Sequence, residues 1–230
     1  MRNVFVVTEN AVRFDDICNE LEDPMSLIGP SLAMVTSPAG RGKTEASKHR
    51  AANSTAIYLP PMNKRSPLML LREITFDLAK VKPGRIEPCL EIIGDEMAKD
   101  RRLIIVDEAD LLPMAILEML RNINERYSCP ILLLGETELR GKVGSRRRIA
   151  SRIRRSMDFA ALTQPDIVLF FKKALEFELS PSVTAIIHRH SQGDWRPVLT
   201  LAASIERAMK ASGLKKISEG LVKGIINGNS

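Results

Sequence analysis

The feature that most constrains this chain is the passage from Leu32 to Ala52. A short apolar run, Leu32-Ala33-Met34-Val35-Thr36, leads into Ser37-Pro38-Ala39-Gly40-Arg41-Gly42-Lys43-Thr44, and a helix-favouring stretch from Glu45 follows. Strand, glycine-rich turn, Lys-Thr and helix, in that order, build a cradle for phosphate groups. Glycines let backbone N–H groups turn inward, and the helix adds the positive end of its dipole. Lys43 is placed to reach the β- and γ-phosphates of a nucleoside triphosphate, and the Thr44 hydroxyl to ligate Mg2+. The pattern ordinarily opens on glycine. Ser37 stands there instead, and the turn forms around it provided its φ stays negative.

The rest of the chain alternates in a way that suits such a turn. Thr55 to Leu59 is a β-rich run stopped by Pro60-Pro61. Leu103-Ile104-Ile105-Val106 and Pro130 to Gly135 are continuous apolar runs of the kind found in strands buried on both faces. Between them lie helical patterns. Val12, Phe14, Ile17 and Leu21 share one face, and Ser66-Pro67 supplies an N-cap and a first-turn proline. Ile86, Leu90, Ile93 and Met97 recur at helical spacing, and Met114 to Ile123 reads as helix. Asn3 to Val7 reads as a short strand or an extended arm. From about Thr163 no strand signal remains, and Pro165–Phe177, Pro181–Arg189 and Trp195–Ser212 read as helices. The expected architecture is α/β: a parallel sheet flanked by helices over residues 1–160, then a small all-helical lid over 161–230.

Chemistry gathers at the strand ends. Asp107 follows a buried strand, where an acid holds Mg2+, usually through water. Glu108 points differently and can orient or deprotonate an attacking water. The next strand ends in Gly135-Glu136-Thr137, where Thr137 or Glu136 could contact the γ-phosphate or the water; a helix N-cap role for Thr137 is an equal reading. Arg152, in Ser151-Arg152-Ile153, is placed to reach the γ-phosphate of a neighbouring subunit, with Arg148 as the reserve. Arg196, in Gly193-Asp194-Trp195-Arg196, could touch the phosphates of its own subunit.

Composition closes off other classes. The net charge of +6 is concentrated, because residues 140–155 carry eight arginines and lysines and no acid, leaving −2 for the remainder. Such a block fits a polyanion or an acidic neighbouring subunit. Aromatic residues make up only 4% of the chain, which argues against base stacking as a binding mode. No apolar run approaches the roughly 20 residues of a membrane span. Cys18, Cys89 and Cys129 share no ligand spacing and fit buried free thiols in a reducing cytoplasm.

With these residues in hand, the chain resembles the AAA+ ATPases. Phosphate loop, Asp-Glu strand, sensor strand, Ser-Arg-Ile and Gly-x-x-Arg occur in that family's order over roughly residues 8–212. The run Leu133-Leu134-Gly135-Glu136-Thr137-Glu138-Leu139 looks like that of the B-type transposition proteins of Mu-like phages and the related transposon target-selection ATPases. The type II secretion ATPases share it closely. The resemblance implies a five-stranded parallel core, a helical lid, ATP and Mg2+ as cofactors, and assembly into rings or helical filaments on duplex DNA. It further implies delivery of target DNA to a transposase, and activation of that enzyme, in the cytoplasm of a bacterial host. Nucleotide would be held by Ser37, Ala39, Gly40, Arg41, Gly42, Lys43, Thr44, Glu45 and Asp107, with Thr44 and Asp107 also serving Mg2+. Glu108, Arg152, Arg196 and Thr137 would take part in hydrolysis. In such assemblies DNA passes the loops after the second strand, which here carry Lys64, Arg65, Lys82 and Arg85; these contacts would be backbone-directed and sequence-tolerant. The core begins almost at once, so no separate DNA-reading domain is expected ahead of it. A replicative helicase loader is the alternative within the same chemistry, and a secretion ATPase, a P-loop kinase or a non-hydrolysing ATP switch the more distant ones.

Overall fold

The computed structural model describes residues 1–2, 4–27, 29–61, 66–214 and 216–228. The chain forms two compact units, residues 11–38 with 43–159, and residues 1–10 and 39–42 with 160–230. The first is built on a parallel sheet of five strands: β1 Leu32–Thr36, β2 Ile57–Leu59, β3 Ile104–Val106, β4 Ile131–Gly135 and β5 Ile153–Asp158. Their order is β2-β3-β4-β1-β5, and every neighbouring pair runs parallel. All residues of β1, β3 and β4 are buried, which is why these strands read as unbroken apolar runs. In register, Leu133 lies between Met34 and Val106. The carboxyl ends of β1, β4 and β3 therefore stand side by side, and Ser37, Glu136 and Asp107 leave the sheet along one edge. Ligands of open parallel sheets bind at this edge.

The residue pattern marks four of these strands, and the fifth is expected only from the resemblance. β5 lies inside the arginine-rich segment, at the edge of the sheet beside β1. Between Leu32 and Ala33 its partner jumps from Ile153 to Arg155, so Arg154 is the extra residue of a bulge. Charged side chains and a bulge keep an edge strand from pairing with another sheet, and they also erase its apolar signature.

Helices lock the edge in place. Helix Pro67–Ala79 starts where the sequence puts it: the Ser66 hydroxyl accepts from Met69 N at 3.2 Å, and left-handed Lys80 closes the other end. Its Leu70, Leu71 and Ile74 share one core with Ile93 of helix Ile86–Lys99, with Ile116, Leu117 and Leu120 of helix Met114–Tyr127, and with Ile104, Val106, Ile131 and Leu133 of the sheet. Each such buried side chain contributes about 1.5–3 kcal/mol.

The second unit is helical among its described residues, with helices Gln164–Leu175, Pro181–Ser191, Trp195–Ser212 and Glu219–Gly228. The first three open on side-chain caps from Thr163, Ser180 and Asp194, and Asp166 returns the bond to Thr163 in a capping box. Ile167, Phe171, Ile187, Val198, Leu201 and Ile205 form its core. The N-terminal passage that reads as strand or arm is an arm: residues 4–8 form no strand, Val6 packs into this core, and Arg2 N donates to Ala174 O at 2.9 Å. No helix among the described residues is long and apolar enough to cross a membrane.

Candidate functional site

The turn after β1 carries the first half of the site. Ser37 is not among the residues with positive φ, so the turn forms around it as its backbone requires. Ser37 also contributes a group that glycine lacks. Lys43, the first residue of helix Lys43–Ala52, is buried, and its Nζ donates to Ser37 O and Ser37 Oγ at 2.8 Å each and to Pro38 O at 3.2 Å. The ammonium is thus held against its own loop by neutral oxygens, from which an anionic oxygen can draw it. The tip of the loop, residues 39–42, belongs to the helical unit. There Trp195 N donates to Gly40 O at 3.0 Å, and Arg41 Nη1 donates to the carbonyls of Gln192, at 3.1 Å, and Gly193. Gly40 has φ 77°, and a Cβ on it would collide with the Asp194 carboxylate, so both conformation and space demand glycine.

Asp107 organises the other half. It is 3% exposed, one residue beyond β3, and its carboxylate accepts three hydrogen bonds. Thr44 Oγ1 donates to Oδ2 at 2.8 Å, Tyr58 OH to the same oxygen at 2.9 Å, and Glu108 N to Oδ1 at 2.9 Å. Glu108 itself has φ 50° and ψ 42°, a left-handed conformation that a non-glycine residue adopts at a cost. Burial, and then the charges of Asp107, Asp110 and Glu136, hold its carboxyl above the usual carboxylate range. The turn that carries it is pinned by Lys142, whose Nζ donates to Asp110 O at 2.6 Å and Leu112 O at 2.5 Å, while Asp110 Oδ1 accepts from Glu136 N at 3.0 Å. Among the described residues no three His, Cys, Asp or Glu side chains gather as metal ligands. The oxygen donors present are the Thr44 hydroxyl and the Asp107 carboxylate, and Mg2+ takes one or two protein groups and fills its octahedron with phosphate oxygens and water.

The remaining sequence candidates fall in several places. Thr137 is exposed and donates to Glu138 Oε2 at 3.2 Å; it precedes helix Glu138–Gly144 without capping it through its side chain. Glu136, also exposed, is the one of the two whose charge reaches Glu108. The Glu45 side chain turns outward to Lys48 at 3.0 Å. Arg152 stands before β5, at the amino edge of the sheet and thus opposite Asp107, and its Nε meets Glu125 Oε1 at 2.5 Å. Arg148 is exposed on the short helix Arg147–Ala150, and Arg196 is exposed on the first turn of Trp195–Ser212. Lys82 is exposed with its Nζ 4.4 Å above the Phe76 ring, and Arg85 is exposed ahead of helix Ile86–Lys99. Lys64 and Arg65 lie outside the described residues. Sequence reasoning missed Tyr58 and Lys142. The only signal for Tyr58 was a hydroxyl-bearing residue between two aliphatic ones in β2.

A family profile described as an AAA domain matches residues 28–143. A potential ATP-binding protein of Staphylococcus aureus is 31% identical over 138 residues, which are 56% of this chain and 51% of that protein. The ATP-dependent target DNA activator B of Escherichia phage Mu is 30% identical over 108 residues, 46% of this chain and 35% of its own. The chain thus spans about half or less of these curated relatives. Among solved structures, the RuvB Holliday junction branch migration motor of Thermotoga maritima aligns with a TM-score of 0.66 at 16% identity, over 97% of this chain and 70% of that one. The Aeropyrum pernix ORC1 protein in complex with DNA aligns with a TM-score of 0.64 at 18% identity, over 97% and 65%. At such identities the likeness is one of fold.

Proposed function

The chain belongs to the AAA domain family, and from that premise we propose that it is an ATP hydrolase that binds duplex DNA in an ATP-dependent way, assembles on it, and presents it to a transposase. The observation that carries the nucleotide part is the hydrogen bond from Thr44 to Asp107 at 2.8 Å beside the buried Lys43. A hydroxyl, a carboxylate and an ammonium fixed in that relation fit a triphosphate with Mg2+. The DNA and transposase part draws its support from the similarity to a target DNA activator of phage Mu. The buried free thiols of Cys18, Cys89 and Cys129 agree with a cytoplasmic setting.

Bound with Mg2+, ATP supplies the phosphoanhydride whose cleavage resets the assembly. Lys43 would exchange Ser37 and Pro38 for the anionic oxygens of the nucleotide and stabilise them as a point charge. Thr44 would offer an oxygen lone pair to the cation while its hydroxyl goes on donating to Asp107. Glu108 accepts a proton from water, Arg152 adds positive charge from the neighbouring protomer, and Arg196 acts from the lid. Lys82 and Arg85 meet DNA phosphates.

Filter binding of a random-sequence duplex with ATP, with ADP and without nucleotide tests this reading, with electron microscopy for the assembly. ATP is expected to strengthen binding and bring oligomers onto the DNA. Lys43→Ala is expected to weaken ATP binding about 10- to 100-fold, as loss of a charged hydrogen-bond donor does, and to remove the effect of ATP on DNA. A protein that stays monomeric with ATP and DNA overturns it. Strand-transfer assays with an integrase-type transposase then test delivery. For the DNA contacts, the pair Lys82→Ala and Arg85→Ala is expected to weaken binding equally across sequences and to lower the slope of log K against log salt by about two.

A further inference from the structure

We propose that Tyr58 is a positioning residue for Asp107: its hydroxyl fixes the carboxylate that backs the Mg2+ site, and so governs how far Mg2+ strengthens nucleotide binding. The inference rests on the nucleotide reading above. Three observations carry it. First, β2 holds Asp107 twice, through the backbone, where Asp107 N donates to Leu59 O at 3.1 Å, and through the side chain, where Tyr58 OH donates to Oδ2 at 2.9 Å. Second, the oxygen that Tyr58 reaches is the one that receives the Thr44 hydroxyl at 2.8 Å, so both donors set the orientation of a single carboxylate oxygen. Third, the arrangement follows from strand periodicity. Ile57 and Leu59 are 1% exposed in the aliphatic core, which puts Tyr58 on the opposite face, half-buried, where its ring spans the distance to the end of the neighbouring strand.

The chemistry is that of a fixed donor. A phenol is protonated throughout the physiological interval, so it donates to the carboxylate there. A phenol on a strand has few ways to move, unlike a hydroxyl on a loop. With Tyr58 in place, Asp107 keeps one oxygen committed to Thr44, and the Thr44 lone pair stays aimed outward for a cation. Without it, a nearly dry carboxylate loses one of its three donors and is free to rotate away from Thr44. Partners of this kind, one step removed from the metal, typically change metal affinity 10- to 100-fold when removed.

The test uses the full 230-residue chain and the variant Tyr58→Phe, which keeps the ring and its packing and removes one oxygen. ATP affinity is measured calorimetrically with Mg2+ and with EDTA. The expected result is a loss of about tenfold with Mg2+, with the EDTA value unchanged within about twofold, and a Mg2+ titration midpoint raised by about tenfold at fixed ATP. Equal affinities for variant and wild type in both conditions would overturn the proposal. So would an equal loss in both, which is the mark of a merely structural role. If the wild type binds no ATP in either condition, the nucleotide reading falls and this inference with it. If the wild type binds ATP more tightly with Mg2+ and Tyr58→Phe keeps that ratio, only the role of Tyr58 falls.

Discussion

Arg152→Ala is expected to lower ATP turnover about 1,000-fold while leaving ATP affinity within about twofold of wild type. Position sets this expectation. Arg152 precedes Ile153, which pairs with Leu32 at the amino end of β1, whereas Lys43 and Asp107 follow the carboxyl ends of β1 and β3. A strand rises about 3.3 Å per residue, so the five-residue β1 sets the arginine about 16 Å along the sheet from the turn that follows it. No rotamer of Arg152 brings its guanidinium to its own Lys43, so the role proposed for it is one in trans. Glu125 steadies the side chain through Nε. That pair is half exposed, with Arg152 at 47%, so it contributes at most about 1 kcal/mol and does not hold the arginine back. The decisive measurement is complementation. Arg152→Ala and Lys43→Ala protomers, each inactive alone, are expected to regain turnover when mixed, because some interfaces then join an intact arginine to an intact pocket. An inactive mixture, or Arg152→Ala turning over like wild type, removes the role in trans. Arg148→Ala serves as the comparison, since Arg148 is exposed on the short helix just ahead of Arg152.

How much of this was readable in the sequence depends on where each residue lies. β1, β3 and β4 are legible because strands buried on both faces are almost wholly apolar, and helix Pro67–Ala79 because its cap and proline announce it. β5 is illegible for the opposite reason. An edge strand needs only one neighbour, and Arg154, Arg155 and Ser156 give it the composition of a solvated loop. Residues 4–7 decide between the two readings that the sequence leaves open there, strand or arm: an apolar passage that packs on helices resembles a strand without having a partner strand. In the site, Lys43, Thr44 and Asp107 were readable because each directly follows a buried strand or its turn. Tyr58 was not, since its meeting with Asp107 depends on the register of β2 against β3, which a single strand does not encode. Nor was the left-handed backbone of Glu108, because nothing in Asp107-Glu108-Ala109 asks for it.

That backbone strain sits on the residue whose replacement tells most about the chemistry. Glu108→Gln keeps the size and removes the base, and turnover is expected to fall about 100- to 10,000-fold while ATP binding and ATP-dependent assembly on DNA persist. The same variant carries a second, opposite signature in the nucleotide-free protein. The Glu108 carboxyl is held above its ordinary range in the fold, by burial and by Asp107, Asp110 and Glu136. An acid raised on folding binds its proton more tightly in the native state, so native stability is favoured at low pH and is lost as pH rises through the raised value. At neutral pH the ionised glutamate therefore works against the fold, and glutamine does not. The melting midpoint of nucleotide-free Glu108→Gln is expected to exceed that of wild type by roughly 1–3 °C at pH 7, with the gap closing below the ordinary carboxylate range. Loss of turnover together with a gain of apo stability is what a residue placed for chemistry rather than packing produces. A glutamine variant that melts lower than wild type would make Glu108 a structural residue, and one that hydrolyses ATP at the wild-type rate would move the base to another group of this acidic edge.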